Sequence, residues 1–416
     1  MLIRNIKGLF FLPGGTKYSL IWRICLNFWL IFFVALAVKA LLIPGRQSVF
    51  EVYVSGVKHW WQDQSLYAKY PGIDYFRYAP SAVFLFEPFV RCGLIFGPML
   101  WGCISVFSVF FACNQMAGKF WITNQPWAIG TILALLSAFS GLWNHQSNAI
   151  IGCLLILATL QIYNGNFFIA SFLFAIGLVL KITVFPVIAL VIFSNLFSMS
   201  WRLLLFVLIF GFLPFLTRTP DTVIWQYGEW ARHLHATQDI RWPGYRDGWY
   251  IILSIAEWTR SGNYNPSFWD CSPPLLYKIL QVSTGLGCLV LTIGWKALPS
   301  VEWYPRTLAL GLAWLMVFGP ATELPTYGLI APIFCWAYVK EFSKSIVPKI
   351  KYQSFILKFS LFFVSILSIR DFTIGLAPIF PPVLAAAPFG IILFAIWLFR
   401  DSQQEIWLLK ISLKHS

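Results

Sequence analysis

Three groups of polar side chains have the types and spacing to act on a hydroxyl and a phosphate. The first is the run Asp74-Tyr75-Phe76-Arg77-Tyr78-Ala79-Pro80. A carboxylate beside aromatic rings and an arginine can be partly withdrawn from water, where it can take a proton from an acceptor hydroxyl as a general base. The plainer role for Asp74 is an ion pair with Arg77 that holds the loop. Glu51 and Asp63, earlier in the same segment, are further carboxylates. The second group is Asn144-His145-Gln146-Ser147-Asn148, an amide-rich turn between two apolar stretches. Polar groups at a membrane edge need partners, so these side chains either bond sugar hydroxyls or phosphate, or cap their own turn. His145 can serve as an acid, a base or a plain hydrogen-bonding residue. The third is Lys181, alone in Leu178-Val179-Leu180-Lys181-Ile182-Thr183-Val184-Phe185-Pro186. A lysine there either snorkels to the surface or meets an anion, and its ammonium can hold a lipid phosphate as a point charge.

Two more candidates lie downstream. Arg218, Arg232, Arg241 and Arg246, with His233 and His235, stand among many tryptophans and tyrosines. Guanidinium groups suit phosphate, and aromatic faces suit either sugar rings or the lipid interface. Glu323, between Pro320 and Pro325, is a carboxylate for substrate or a helix-end group facing water.

The elements that must position these residues are apolar. The 416-residue chain is 59% hydrophobic, 19% aromatic and only 11% charged, which excludes a soluble domain and implies a polytopic bundle of membrane-spanning helices. No gap between apolar runs is long enough for a separate soluble domain, so residues 1–416 read as one integral membrane domain. The net charge of +14 fits lysines and arginines retained at the cytoplasmic surface, with no need of nucleic acid as a partner. The first apolar run, Tyr18 to Ile43, is longer than a signal-peptide core and reads as a retained helix.

Enrichment of basic residues in short cytoplasmic loops orients the rest. Arg4, Lys7 and Lys17 place the amino terminus inside, and helix 1 leaves at Ile43. An external segment over residues 44–97 follows, in which Tyr78–Phe89 is too short and too charged to span and reads as an interfacial helix starting near Pro80. Helix 2 returns over Pro98 to Met116, towards Lys119, and helix 3 runs from Trp127 to Ser140. Helix 4 ends at Asn164-Gly165-Asn166. The run from Phe167 to Met199 is too long for one helix and divides at Lys181 and Pro186 into helices 5 and 6. Trp201 and Arg202 fall inside, helix 7 exits near Arg218, and a second large external loop covers residues 217–273. Helix 8 leads in to Lys296 and Arg306, helix 9 out to Glu323, and helix 10 back to Lys340, Lys344, Lys349 and Lys351. Helices 11 and 12 enclose Arg370 and Asp371. The expected fold is therefore all-α, a bundle of about twelve helices with external interfacial helices and both termini cytoplasmic. Twelve of the 16 acidic residues then fall outside or at the outer boundary, although only basic residues guided the assignment.

Some chemistries have no visible site. There is no glycine-rich phosphate loop beside a strand, no Walker motif and no zinc spacing. The eight cysteines are scattered, without a CxxC pair, so a metal cluster or redox motif is not expected; a disulfide between Cys92 and Cys271, both external, stays open.

Several segments together resemble a known group. VFEVYVSGVKHWWQDQSLYAKYP, DYFRYAPSAVFLFEPF, WNHQSNAIIGCLLILA, LVLKITVFPVIALVIF and, more weakly, GPATELPTYGLIAP are similar in order and spacing to the multi-spanning glycosyltransferases of the GT-C superfold, closest to glycosyltransferase family 87 with its polyprenyl-phosphate-mannose-dependent mannosyltransferases. The resemblance covers most of residues 46–340. It implies a GT-C-like fold, a base in the first external loop, a lipid-phosphate sugar donor and inversion. Many members carry an Asp just before an aromatic-x-Val-Tyr stretch. Here that stretch is Phe50-Glu51-Val52-Tyr53, and the preceding residue is Val49. Asp74, or else Glu51, is then the substitute base, unless the activity is lost. Lys181 with Pro186 following, and Asn148 after a glutamine, match the family pattern.

The expected function is transfer of a hexose, mannose by resemblance, from a polyprenyl-phosphate sugar to a lipid or glycan acceptor on the outer face of a bacterial plasma membrane. Asp74 and Glu51 are the candidate catalytic residues. Arg77, Tyr78, Asn144, His145, Gln146, Asn148, Lys181, Arg246 and Glu323 are the candidate substrate-binding residues. No cofactor is required and no metal ligand set is assigned, though the external acids permit a divalent cation. The rival is a twelve-helix transporter or flippase of lipid-linked sugars, which would show internal repeats and midplane polar residues. No convincing repeat relates the two halves. A non-catalytic membrane scaffold is the third reading.

Overall fold

The computed structural model describes residues 20–43, 48–117, 124–237, 245–261, 273–320, 322–343, 351–367, 369 and 380–415. Arg4, Lys7, Lys17, Lys119, Arg241, Cys271, Lys344, Lys349, Arg370 and Asp371 lie outside them. Part of the charge pattern behind the topology, and the Cys92–Cys271 pairing, therefore fall outside as well.

The described chain is helical, with one isolated antiparallel bridge between Tyr245 and Glu323. The elements are α1 (Leu20–Leu42), α2 (Phe50–Trp61), α3 (Ala82–Arg91), α4 (Gly93–Ala117), α5 (Asn124–Trp143), α6 (Asn148–Tyr163), α7 (Phe167–Leu180), α8 (Phe185–Ile192), α9 (Leu196–Phe212), α10 (Pro220–Thr237), α11 (Gly248–Ser261), α12 (Leu275–Gly294), α13 (Ser300–Phe318), α14 (Ala331–Phe342), α15 (Lys351–Ser365) and α16 (Ala386–His415). The helices α1, α4 to α9 and α12 to α16 occupy the twelve places expected from the apolar runs. The remaining four lie in the two expected external segments, and α3 begins just after Pro80. Six apolar helical stretches among the described residues are long enough to cross a membrane: Arg23–Leu42, Gly93–Met116, Gln125–Trp143, Ile182–Leu216, Leu275–Ala297 and Pro382–Ser412. Their outer faces carry exposed Ile24, Phe96, Leu204 and Val290, as lipid-facing helices do.

The stretch after α7 shows how sequence sets direction. The chain breaks at Lys181, which is extended at φ −159°, ψ 95°, and Pro186 then sits in the first turn of α8, where its missing N–H is not needed. The freed carbonyl of Val179 accepts the Ala79 N–H at 3.3 Å, so the first external segment caps this end of α7. Phe168 meets Phe206 at 4.7 Å between ring centroids, and Phe172 meets Phe210 at 5.9 Å. These pairs set α7 and α9 side by side and parallel, so α8 returns between them. Arg202 lies within α9, not in a loop, and its side chain bonds the Ser198 carbonyl.

A buried 3₁₀ segment, Leu324–Leu329, joins α13 to α14. Irregular backbone inside a bundle needs close cover, and two glycines allow it. A Cβ on Gly141 of α5 would stand 2.7 Å from the Pro325 carbonyl oxygen, and one on Gly152 of α6 2.5 Å from that of Leu329.

Arg306 is not a surface loop charge. It is fully buried one turn into α13, joined to Glu302 and, at 2.7 Å, to Asp401 of α16. Lys340 of α14 meets Glu302 at 3.0 Å and Glu405 at 3.1 Å. Glu341 takes the Ser354 hydroxyl and the Trp397 indole N–H. The four acidic residues assigned to the cytoplasmic side thus tie α13, α14, α15 and α16 together. They do so roughly 25 Å along α13 from its other end, by the rise per residue.

Candidate active site

That other end holds a cavity of about 340 Å³, within the size range of small-molecule sites. Seven of the candidate residues line it: Asp74, Arg77, Tyr78, Gln146, Asn148, Lys181 and Glu323. They come from the segment between α2 and α3, the α5–α6 turn, the α7–α8 break and the α13–α14 connection.

Tyr53 anchors the first wall. It is fully buried, stacks on Phe86 at 4.0 Å and packs edge-on to Trp101 at 5.2 Å. Its hydroxyl donates to the His145 carbonyl at 3.2 Å, and the Tyr78 hydroxyl donates to Tyr53 Oη at 3.3 Å. Tyr67 Oη donates to the Tyr78 carbonyl at 2.8 Å. The helix α10 covers this segment: Gln226 donates to the Gln64 carbonyl at 2.7 Å, Trp230 to the Arg77 carbonyl at 3.4 Å, and Leu234 reaches the cavity. Asp74 itself sits at the mouth with its side chain 66% exposed, 3.7 Å from Arg77 Nη2, and its Oδ1 accepts the Tyr75 N–H at 2.7 Å.

The second wall is an amide–ammonium chain. Asn148 Nδ2 donates to Gln146 Oε1 at 2.5 Å and to the Pro325 carbonyl at 3.1 Å, leaving Oδ1 to accept Lys181 Nζ at 3.0 Å. Burial lowers the Lys181 ammonium from 10.5 to about 8, with Glu323 opposing the shift and Arg77 adding to it. Lys181 therefore remains mostly charged at neutral pH and is fixed by a neutral partner, which leaves its charge uncompensated at contact distance.

Glu323 forms the third wall. Its carboxylate accepts the Thr326 N–H, and its own N–H donates to Thr326 Oγ1 at 3.2 Å, a capping box on the 3₁₀ segment. The bridge to Tyr245 pins its backbone. Burial pushes its carboxyl above the ordinary glutamate value, while Arg77 and Lys181 pull the other way.

Four candidate residues do not line the cavity. Glu51 is half-buried in the first turn of α2, where burial raises its pKa. Asn144 acts through its backbone, accepting the Val49 N–H at 2.9 Å. His145 is buried behind the wall at φ 55°, with Nδ1 3.0 Å from Ser48 Oγ; its carbonyl also accepts the Trp101 indole N–H at 2.8 Å. Burial, then Lys39, lowers His145 to about 4, so at neutral pH it is an uncharged support and not an acid or base. Arg246 is buried beside the cavity, its guanidinium 4.5 Å from the Tyr250 ring centroid and its Nη1 donating to the Tyr245 carbonyl at 2.7 Å. Nor do Arg218 and Arg232, the other described arginines of the group named with Arg246, gather here. Arg218 holds the Trp60 carbonyl at 2.7 Å and Asp63 at 3.2 Å, and Arg232 pairs with Glu229 at 2.5 Å on the surface.

The lining residues outside the candidate set include Val49, Ser147, Thr183, Tyr245 and Thr326. Thr183 Oγ1 is buried without a hydrogen-bond partner among the described residues. Val49 presents an apolar side chain to the cavity. Among the described residues no three His, Cys, Asp or Glu side chains converge as a metal site.

The site thus pairs cations able to hold a phosphate with carboxylates able to accept a proton, at one end of an apolar helical bundle. No family model matches the chain, and no curated protein matches it. Two solved structures are similar to it. The crystal structure of ArnT from Cupriavidus metallidurans in the apo state has a TM-score of 0.42 at 12% identity, over 90% of this chain and 77% of that one. The crystal structure of ArnT from Cupriavidus metallidurans bound to undecaprenyl phosphate has a TM-score of 0.36 at 10% identity, with the same coverage.

Proposed function

We propose that the chain is a membrane glycosyltransferase of the kind the family resemblance implies. It moves a hexose, mannose in the favoured reading, from a polyprenyl-phosphate sugar to a lipid or glycan acceptor on the outer face of a bacterial plasma membrane. The observation that carries this is a cavity in which Lys181, held by Asn148, faces the same space as Arg77, Asp74 and Glu323. Ile182 lines that cavity and is 39% exposed, and Phe185 one turn on is 54% exposed, so an apolar tail can lie along α8 in the bilayer while its phosphate reaches Lys181.

The chemistry follows from the charges. Lys181 and Arg77 meet the donor phosphate, and the Thr183 hydroxyl is placed to donate to it. Phosphate stabilised in this way leaves without a general acid. A cavity carboxylate takes the acceptor proton, and the acceptor oxygen attacks the anomeric carbon from the face opposite the phosphate, which inverts its configuration. Glu51, outside the cavity, drops out of this role. One carboxylate suffices, because no water has to be activated in a second step.

The test is transfer from radiolabelled polyprenyl-phosphate mannose to endogenous lipids and glycans in membranes with wild-type protein, with Lys181→Ala, or without the protein. Label appearing in product only with wild-type protein, and falling at least tenfold in the variant, supports the reading. Label crossing the bilayer unchanged, with no product, favours a flippase.

A further inference from the structure

We propose that Glu323 is the base that takes the acceptor proton, and that Asp74 serves to hold Arg77 at the cavity mouth. This rests on the glycosyl-transfer reading above. Of the described residues lining the cavity, only these two carry carboxylates, and their surroundings differ in kind. Asp74 stands on an exposed loop with its side chain 66% in solvent, already bonded to the Tyr75 N–H and paired with Arg77. A group so exposed to water is loosely placed. Glu323 stands on backbone fixed from three sides: by the capping box with Thr326, by the bridge to Tyr245, and by the close seating of Leu324–Leu329 on Gly141 and Gly152. Among the described residues its carboxylate forms no ion pair, burial outweighs the longer-range pull of Arg77 and Lys181, and Lys181 on another wall, held by the neutral Asn148, can take the phosphate. A base must be within reach and pre-positioned before its pKa matters, and only Glu323 combines both with partial burial.

The step balances as follows. The acceptor O–H bond breaks and its proton passes to the Glu323 carboxylate. The oxygen lone pair forms the new bond to the anomeric carbon. The bond from that carbon to the phosphate oxygen breaks, and its electrons leave on the polyprenyl phosphate, whose added charge Lys181 meets. Glu323 then returns the proton to water.

Purified full-length protein in lipid nanodiscs tests this with Glu323→Gln and Asp74→Asn. Glutamine keeps an oxygen for the Thr326 N–H, and thermal melts check that each variant folds. Glu323→Gln is expected to lower kcat by about 10²–10⁴-fold, to leave polyprenyl phosphate binding within about twofold, and to remove the acid limb of the pH–rate profile. Asp74→Asn is expected to raise donor KM with kcat reduced less than tenfold. Loss of kcat in Asp74→Asn with Glu323→Gln near wild type overturns the proposal, as does loss of polyprenyl phosphate binding in Glu323→Gln. Wild-type protein that binds polyprenyl phosphate yet transfers no sugar to any acceptor class sinks the glycosyl-transfer reading itself, and the proposal with it.

Discussion

At the scale of residues, the cavity wall depends on residues that do not line it. His145 carries its wall through two hydrogen bonds accepted by one carbonyl, and its ring sits uncharged in an interior that also holds Lys39. The folded value of about 4 lies below the ordinary 6.5, so between these the unfolded chain binds more protons. The stability this contributes is complete above pH 6.5 and is lost as pH falls towards 4, a change of up to about 3 kcal/mol. Thermal melts of purified protein should therefore fall more steeply between pH 6.5 and 4.5 in wild type than in His145→Gln; equal slopes would mean that His145 does not titrate in this window. The sequence made Lys181, Asn148 and the Asp74–Tyr78 run legible because charge and amide groups stand out in apolar surroundings. Ser147, Thr183 and Thr326 were not, because small hydroxyl residues in a helix commonly bond their own backbone and carry no distinctive spacing. Glu51 and His145 looked equivalent to the true cavity residues, since neither helix phase nor burial can be read from a polar loop.

At the scale of elements, Glu323 owes its position to the absence of two side chains. Gly152→Ala places a methyl group 2.5 Å from the Leu329 carbonyl oxygen, and backbone must move to admit it. Such overpacking costs roughly 1–3 kcal/mol, and the transfer rate should fall about tenfold or more as the 3₁₀ segment shifts. At Gly177 the added carbon meets only Leu155 Cδ2 at 3.8 Å and Ile151 Cγ2 at 4.0 Å, both ordinary van der Waals contacts, so Gly177→Ala is the matched control and should retain both stability and activity. Comparable loss in both variants, read by melting and transfer rate, would show that helix composition and not the seating of this segment matters. The buried ions at the opposite end were hidden for a related reason. Arg306, Lys340 and the Asp401–Glu405 pair are far apart in sequence, and positive residues near helix ends normally indicate a loop in water. Only the convergence of α13, α14 and α16 turns them into partners.

At the scale of the molecule, the helical bundle was the most legible feature, because each apolar run long enough to bury in lipid must satisfy its backbone as a helix. The division at Lys181 and Pro186 and the interfacial helix after Pro80 both follow from proline geometry and local charge. The grouping of four separate segments around one cavity was not legible from any one of them. It follows from α7 and α9 running parallel, from α10 covering the first external segment, and from the α13–α14 connection turning back into the bundle. Phosphate recognition by this assembled end is the central claim, and it can be measured without knowing the sugar or the acceptor. Equilibrium binding of polyprenyl phosphate to the purified full-length protein, wild type against Lys181→Ala, is the direct test. Saturable binding that weakens at least tenfold in the variant, and weakens with rising salt, is the expected result. Equal binding by the two proteins, or none by wild type, would contradict a lipid-phosphate site at Lys181.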